Sequence, residues 1–91
     1  MTFERGMNMG KDEVRAGLKE LISEVMPELD DIDMDKDIVS EYGVNSISII
    51  RLIVSAEKKF DISFTDYELS LAEYPTFNDL ATVIISKLDK N

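Results

Sequence analysis

The chain has 91 residues, with 10 Lys and Arg against 19 Asp and Glu for a net charge of −9, and it contains no Cys, His or Trp. These absences exclude a disulfide framework, a thiolate metal site, a cysteine nucleophile and any Ser/His/Asp arrangement, so no catalytic residues are assigned. The length admits one domain with a modest core, and the acidic excess argues against nucleic acid or an anionic membrane surface as a partner.

Residues 1–10 hold two Gly and three Met without periodicity and are expected to form a disordered extension ahead of a domain spanning 11–91. Glu4, Arg5, Lys11, Asp12 and Glu13 interrupt the start before the apolar stretch of a secretory signal can form, and the longest apolar stretches, 52–54 and 83–85, cannot span a bilayer. A cytoplasmic monomer is expected. From Lys11 the pattern turns helical: Val14, Leu18, Leu21, Ile22 and Val25 share one face of a helix that Pro27 stops at about Met26.

Residues 28–45 then carry Glu28, Asp30, Asp31, Asp33, Asp35, Asp37 and Glu41 against Lys36 alone. They read as a long loop packed by its own Leu29, Ile32, Met34, Ile38 and Val39. A second helix starts at Asn45-Ser46, where both side chains can cap exposed N–H groups, and runs to about Lys59 with a core stripe of Ile49, Leu52, Ile53, Ala56 and Phe60. Residues 61–64 are extended. Thr65-Asp66 opens a short third helix to about Ala72, and Pro75 closes that connection. Thr76 and Asp79 form a capping box for the last helix, whose stripe is Phe77, Leu80, Ala81, Ile84 and Leu88. The fold class is all-α: a four-helix bundle with a short third helix and a long loop between helices one and two.

Asp33, Asp35 and Asp37 have the alternation that begins a calcium loop. Counted from Asp33, however, the sixth position that needs Gly is Ile38 and the twelfth that needs a bidentate Glu is Val44, so no metal site is assigned. The more informative constellation is Glu41-Tyr42-Gly43-Val44-Asn45-Ser46-Ile47. It places a hydroxyl on the first turn of a helix, after a Gly that lets the chain turn and an Asn that can cap. Unpaired N–H groups and the positive end of the helix dipole suit that position to a phosphate. From these seven residues alone, the plainer reading of Ser46 as a helix cap stays open.

Over most of its length the sequence resembles an acyl carrier protein. The D-x-G-x-D-S-L attachment motif of that family is matched by residues 41–47, the apolar and charged run of residues 52–60 closes on Phe60 as its second helix does, and Pro75-Thr76-Phe77 resembles the entry to its last helix. The resemblance implies that Ser46 is esterified with 4′-phosphopantetheine by a separate phosphopantetheinyl transferase using coenzyme A and magnesium, with Gly43 and Asn45 shaping the site. It also implies that the thiol of the arm holds an acyl group as a thioester for acyl-loading and acyl-processing enzymes of fatty acid, polyketide or other specialised acyl biosynthesis. The chain would then be a carrier and not an enzyme. Three positions depart from the pattern: Glu41 and Ile47 mildly, and Asn45, which keeps a capping oxygen but lacks the family's charge before the serine.

Ile47, Ile50 and Val54 form a second apolar stripe beside the core stripe of the second helix, and Arg51 and Lys58 border it. This is read as a partner-binding face. Fatty-acid carriers are mostly acidic on that helix, so Arg51, Lys58 and Lys59 imply different partners. The rival reading is a small helical interaction module, a degenerate carrier or scaffold that is never modified.

Overall fold

The computed structural model describes residues 10–89, so the extension expected at 1–10 lies outside the described residues apart from Gly10. The chain forms α1 (Lys11–Val25), α2 (Ile38–Tyr42), α3 (Ser46–Phe60), two 3₁₀ turns (Tyr67–Leu69 and Leu71–Glu73) and α4 (Phe77–Asp89). Among the described residues there is no strand, only one isolated antiparallel bridge between Asp37 and Thr76. The all-α reading therefore holds, with two local differences. The last part of the acidic loop is the five-residue helix α2, and the expected third helix is a pair of 3₁₀ turns broken at Ser70.

The helices form because each carries an apolar stripe at a 3.6-residue period and a terminal bond that sets its end. Val14, Leu18, Leu21 and Ile22 of α1, Ile49, Leu52, Ile53, Ala56 and Phe60 of α3, and Phe77, Leu80, Ala81 and Ile84 of α4 are all buried in one core. Helix α1 packs against both α3 and α4. At Gly17 an added Cβ would lie 3.1 Å from Lys59 Cε and 3.2 Å from Phe60 Cζ, so the missing side chain lets the end of α3 close on α1. Helix α4 starts at the expected capping box: Thr76 N–H donates to Asp79 Oδ2 at 2.9 Å, and Asp79 N–H donates to Thr76 Oγ1 at 3.1 Å.

The segment between α1 and α2 lies on this body through Ile32, which is buried, and through Leu29 and Met34, which are partly buried. Tyr42 ties it down: its hydroxyl accepts the Asp33 N–H at 2.7 Å and donates to the Asp31 carbonyl at 3.3 Å, while its ring lies 6.0 Å from that of Phe77. Asn78 reinforces the attachment. Its N–H donates to Met34 O at 2.9 Å, its side-chain oxygen accepts Arg15 Nε–H at 3.0 Å, and its side-chain NH₂ donates to Asp35. Val39, expected to pack inward, is 52% exposed. Once residues 38–42 are helical, neighbours project about 100° apart, and Ile38 has taken the inward direction.

Candidate functional site

The turn from α2 to α3 is three residues long and each has a distinct task. Gly43 closes α2 in the left-handed region at φ 66°, and its N–H donates to Val39 O at 2.9 Å. An added Cβ there would meet nothing within 4 Å, so backbone conformation, and not space, calls for Gly. Val44 is buried and its N–H donates to Ile38 O at 3.1 Å, which anchors the turn. Asn45 is the N-cap of α3: its Oδ1 accepts the Ser48 N–H at 2.8 Å and its carbonyl accepts the Ile49 N–H at 3.0 Å.

Ser46 is thus the first helical residue, not the cap. It is exposed, and its hydroxyl has no hydrogen-bond partner among the described residues. The N–H groups of Ser46 and Ile47 likewise have no partner among the described residues, as expected for the first turn of a helix. With no acidic side chain in that first turn, the positive end of the α3 dipole is not neutralised locally. The arrangement offers a free alcohol next to amides that favour an anion. No base is hydrogen-bonded to that hydroxyl among the described residues: the chain has no His, and the ionisable side chains of the adjoining cleft are Asp37 and Tyr74.

The cleft beside Ser46 is walled by Asp37 and Val39 on one side and by Leu71, Tyr74 and Pro75 on the other. Asp37 caps α2, its Oδ1 accepting the N–H groups of Val39 at 3.0 Å and Ser40 at 2.9 Å. The Ser40 backbone bond above all holds the Asp37 carboxyl below its usual range. Across the cleft Tyr74 is buried and donates its hydroxyl to the Glu68 carbonyl at 2.6 Å. Burial, with the negative charges of Glu68 and Glu73 adding to it, pushes the Tyr74 phenol up to about 12.

Along α3 the second stripe is exposed: Ile47 by 70%, Ile50 by 39% and Val54 by 40%. Arg51 and Lys58, four residues after Ile47 and Val54, are exposed beside it. Two exposed apolar residues were not expected from sequence: Val39 and Tyr67, the latter 85% exposed. Neither lies on an apolar stripe of a long helix, the one pattern that marks apolar positions in the sequence. Among the described residues no three metal-ligating side chains converge, and no helix is long and apolar enough to cross a membrane.

Residues 16–84 match the family model described as a phosphopantetheine attachment site. The chain is 35% identical over 60 residues to an acyl carrier protein of Kocuria rhizophila, covering 65% of this chain and 74% of that protein. It is 31% identical over 78 residues to an acyl carrier protein of Renibacterium salmoninarum, covering 82% and 91% respectively. A D-alanyl carrier protein of Lactococcus lactis subsp. cremoris is 36% identical over 59 residues, with 65% of this chain and 75% of that protein covered. No solved structure gives a significant match.

Proposed function

The chain belongs to the phosphopantetheine-attachment family, and on that premise we propose that it is a discrete acyl carrier whose arm is attached at Ser46. Membership makes it a carrier protein with a covalent phosphopantetheine group and no reaction of its own. The observation that carries the assignment of Ser46 is its release from capping. Asn45 supplies the capping oxygen, so the Ser46 hydroxyl stands exposed at the first position of α3 with nothing else to bond.

The residues present fit a phosphate ester at that position. The unpaired N–H groups of Ser46 and Ile47 and the α3 dipole offset its negative charge, and Gly43, at φ 66°, makes the turn that brings Asn45 to the start of α3. When bound, the arm supplies the thiol that this cysteine-free chain lacks, and the thiol holds cargo as a thioester. The chain's own part is to hold the attachment point rigidly through Asn45 and buried Val44, and to present Ile47, Ile50 and Val54 to partner enzymes. Those partners are a phosphopantetheinyl transferase and the acyl-loading and acyl-processing enzymes of fatty acid, polyketide or other specialised acyl biosynthesis. Arg51, Lys58 and Lys59 favour partners unlike those of an all-acidic carrier. The working form is a cytoplasmic monomer.

Incubation of the chain with coenzyme A, magnesium and a broad-specificity phosphopantetheinyl transferase, followed by intact mass, tests this reading. Gain of one arm per chain is expected. An unchanged mass under conditions that modify a control carrier refutes it and leaves an unmodified interaction module in its place.

A further inference from the structure

We propose that Glu68 and Lys87 form a latch that holds residues 61–75 against α4, so that the wall of the Ser46 cleft opens as a unit separate from the helical body. Both 3₁₀ turns of the segment contact α3, and Ile62, Phe64, Leu69 and Leu71 pack partly buried against the core. Of its side chains only Tyr74 is fully buried, and its two 3₁₀ turns bond largely to themselves: Glu68 N–H to Thr65 O, Leu69 N–H to Asp66 O, Glu73 N–H to Ser70 O and Tyr74 N–H to Leu71 O. Its ends are tied to the body by Phe64 N–H donating to Glu57 Oε2 at 2.8 Å, and by Pro75 O accepting Ile38 N–H at 2.9 Å.

Between those ends, Lys87 is the one α4 side chain among the described residues that makes a polar contact to the segment. Its ammonium donates to Glu68 Oε1 at 2.9 Å and lies 4.9 Å from the centre of the Phe64 ring. Both partners of the pair are largely shielded, with side chains 21% and 31% exposed, which distinguishes it from the chain's more open ion pairs. Glu68 then passes the restraint on in two directions. The same Oε1 accepts the Thr65 N–H at 2.8 Å, and the Glu68 carbonyl accepts the hydroxyl of Tyr74, which lines the cleft beside Ser46. A segment with one fully buried side chain, partly exposed apolar contacts, local backbone bonds and a single polar tie to α4 belongs to the low-stability end of a domain.

Amide hydrogen exchange on the unmodified chain tests the latch, using Lys87→Met, Glu68→Gln and the double variant. Met keeps an apolar stem over Phe64 while removing the ammonium. In the parent chain the amides of Glu68, Leu69, Glu73 and Tyr74 should exchange at least about tenfold faster, after correction for intrinsic rates, than those of Leu21 and Ile53 in the body. Each single variant should raise the segment's exchange by about fivefold, and the double variant should exceed neither single. Equal protection of segment and body in the parent chain, unchanged segment exchange in both single variants, or additive effects in the double variant would each overturn the proposal. The measurement needs no arm, so its failure leaves the assignment of Ser46 untouched, and failure of that assignment leaves the latch untouched.

Discussion

Truncating the exposed stripe of α3 should damage partner recognition while sparing the fold, and the contrast with its buried neighbour can be given a size. Ile53 is fully buried, and deleting a buried Ile to Ala costs about 2–5 kcal/mol through lost transfer energy and the cavity left behind. For a domain of this size about 1 kcal/mol corresponds to roughly 4–8 °C, so Ile53→Ala should lower the melting temperature by about 10 °C or more. Ile53→Val, at about 0.5–1.5 kcal/mol, gives a milder reference should the Ala variant fail to fold. Ile50 and Val54 are 39% and 40% exposed, so truncation loses only about 0.8 kcal/mol per methylene scaled by the buried fraction. Ala also favours a helix over Ile or Val by a few tenths of a kcal/mol up to about 0.7, which offsets part of that loss. The net cost is about 1 kcal/mol for Ile50→Ala and roughly half that for Val54→Ala. Thermal unfolding and turnover by a partner enzyme, measured on the same variants, should therefore separate. If Ile50→Ala and Val54→Ala prove as destabilising as Ile53→Ala, the stripe is core and the docking face does not exist.

Three further outcomes follow from particular contacts. Asn45→Ala removes the acceptor for Ser48 N–H and should cost about 1 kcal/mol in chemical denaturation, whereas Asn45→Asp, which keeps the acceptor, should not. The carboxyls of Asp37 and Glu68 lie lower in the folded chain than usual, each chiefly through a backbone N–H bond from Ser40 and Thr65 respectively. Their contribution is present above the ordinary carboxylate range and is lost as pH falls through the lowered folded values, while that of neutral Tyr74 is lost as pH rises from its ordinary value of 10.0 toward about 12. Urea midpoints against pH should fall at both limits, and Asp37→Asn, which keeps a capping oxygen, should flatten the acid limb; an unchanged acid limb contradicts this account of Asp37. Arg51→Glu should slow the native partner's turnover while leaving the melting temperature within a few degrees, because it reverses an exposed charge at the rim of the stripe. Unchanged turnover removes Arg51 from the docking surface.

The three long helices were legible because each combines a 3.6-residue apolar period with a readable boundary: Pro27 after α1, Asn45 before α3 and the Thr76–Asp79 box before α4. Helix α2 was not, since five residues are too few to show a period. Its signals were short-range ones, Asp37 as an N-cap and Gly43 at φ 66° six residues later. The third helix failed at Ser70, whose extended backbone, ψ 130°, and side-chain bond to Ala72 N–H begin a new turn and do not continue the old one. At the site, the motif of residues 41–47 was visible as a string, but the division of labour within it was not. Only the geometry shows that Asn45 caps while Ser46 is free, or that Tyr42 reaches back to Asp31 and Asp33. Such long-range polar contacts leave no periodic trace in a sequence.

Locating the modification within α3 decides whether the arm is joined at the Ser46 hydroxyl. Ser48 is the discriminating neighbour: it lies in the same turn but is only partly exposed, and its N–H is already engaged by Asn45. The parent chain, Ser46→Ala and Ser48→Ala, each treated with transferase, coenzyme A and magnesium, should be compared by intact mass and by fragmentation of the peptide spanning residues 41–51. A single arm is expected on Ser46 in the parent and in Ser48→Ala, and none in a Ser46→Ala chain that remains folded by circular dichroism. An arm on Ser46→Ala, or one mapped to Ser48, would refute the assignment of Ser46.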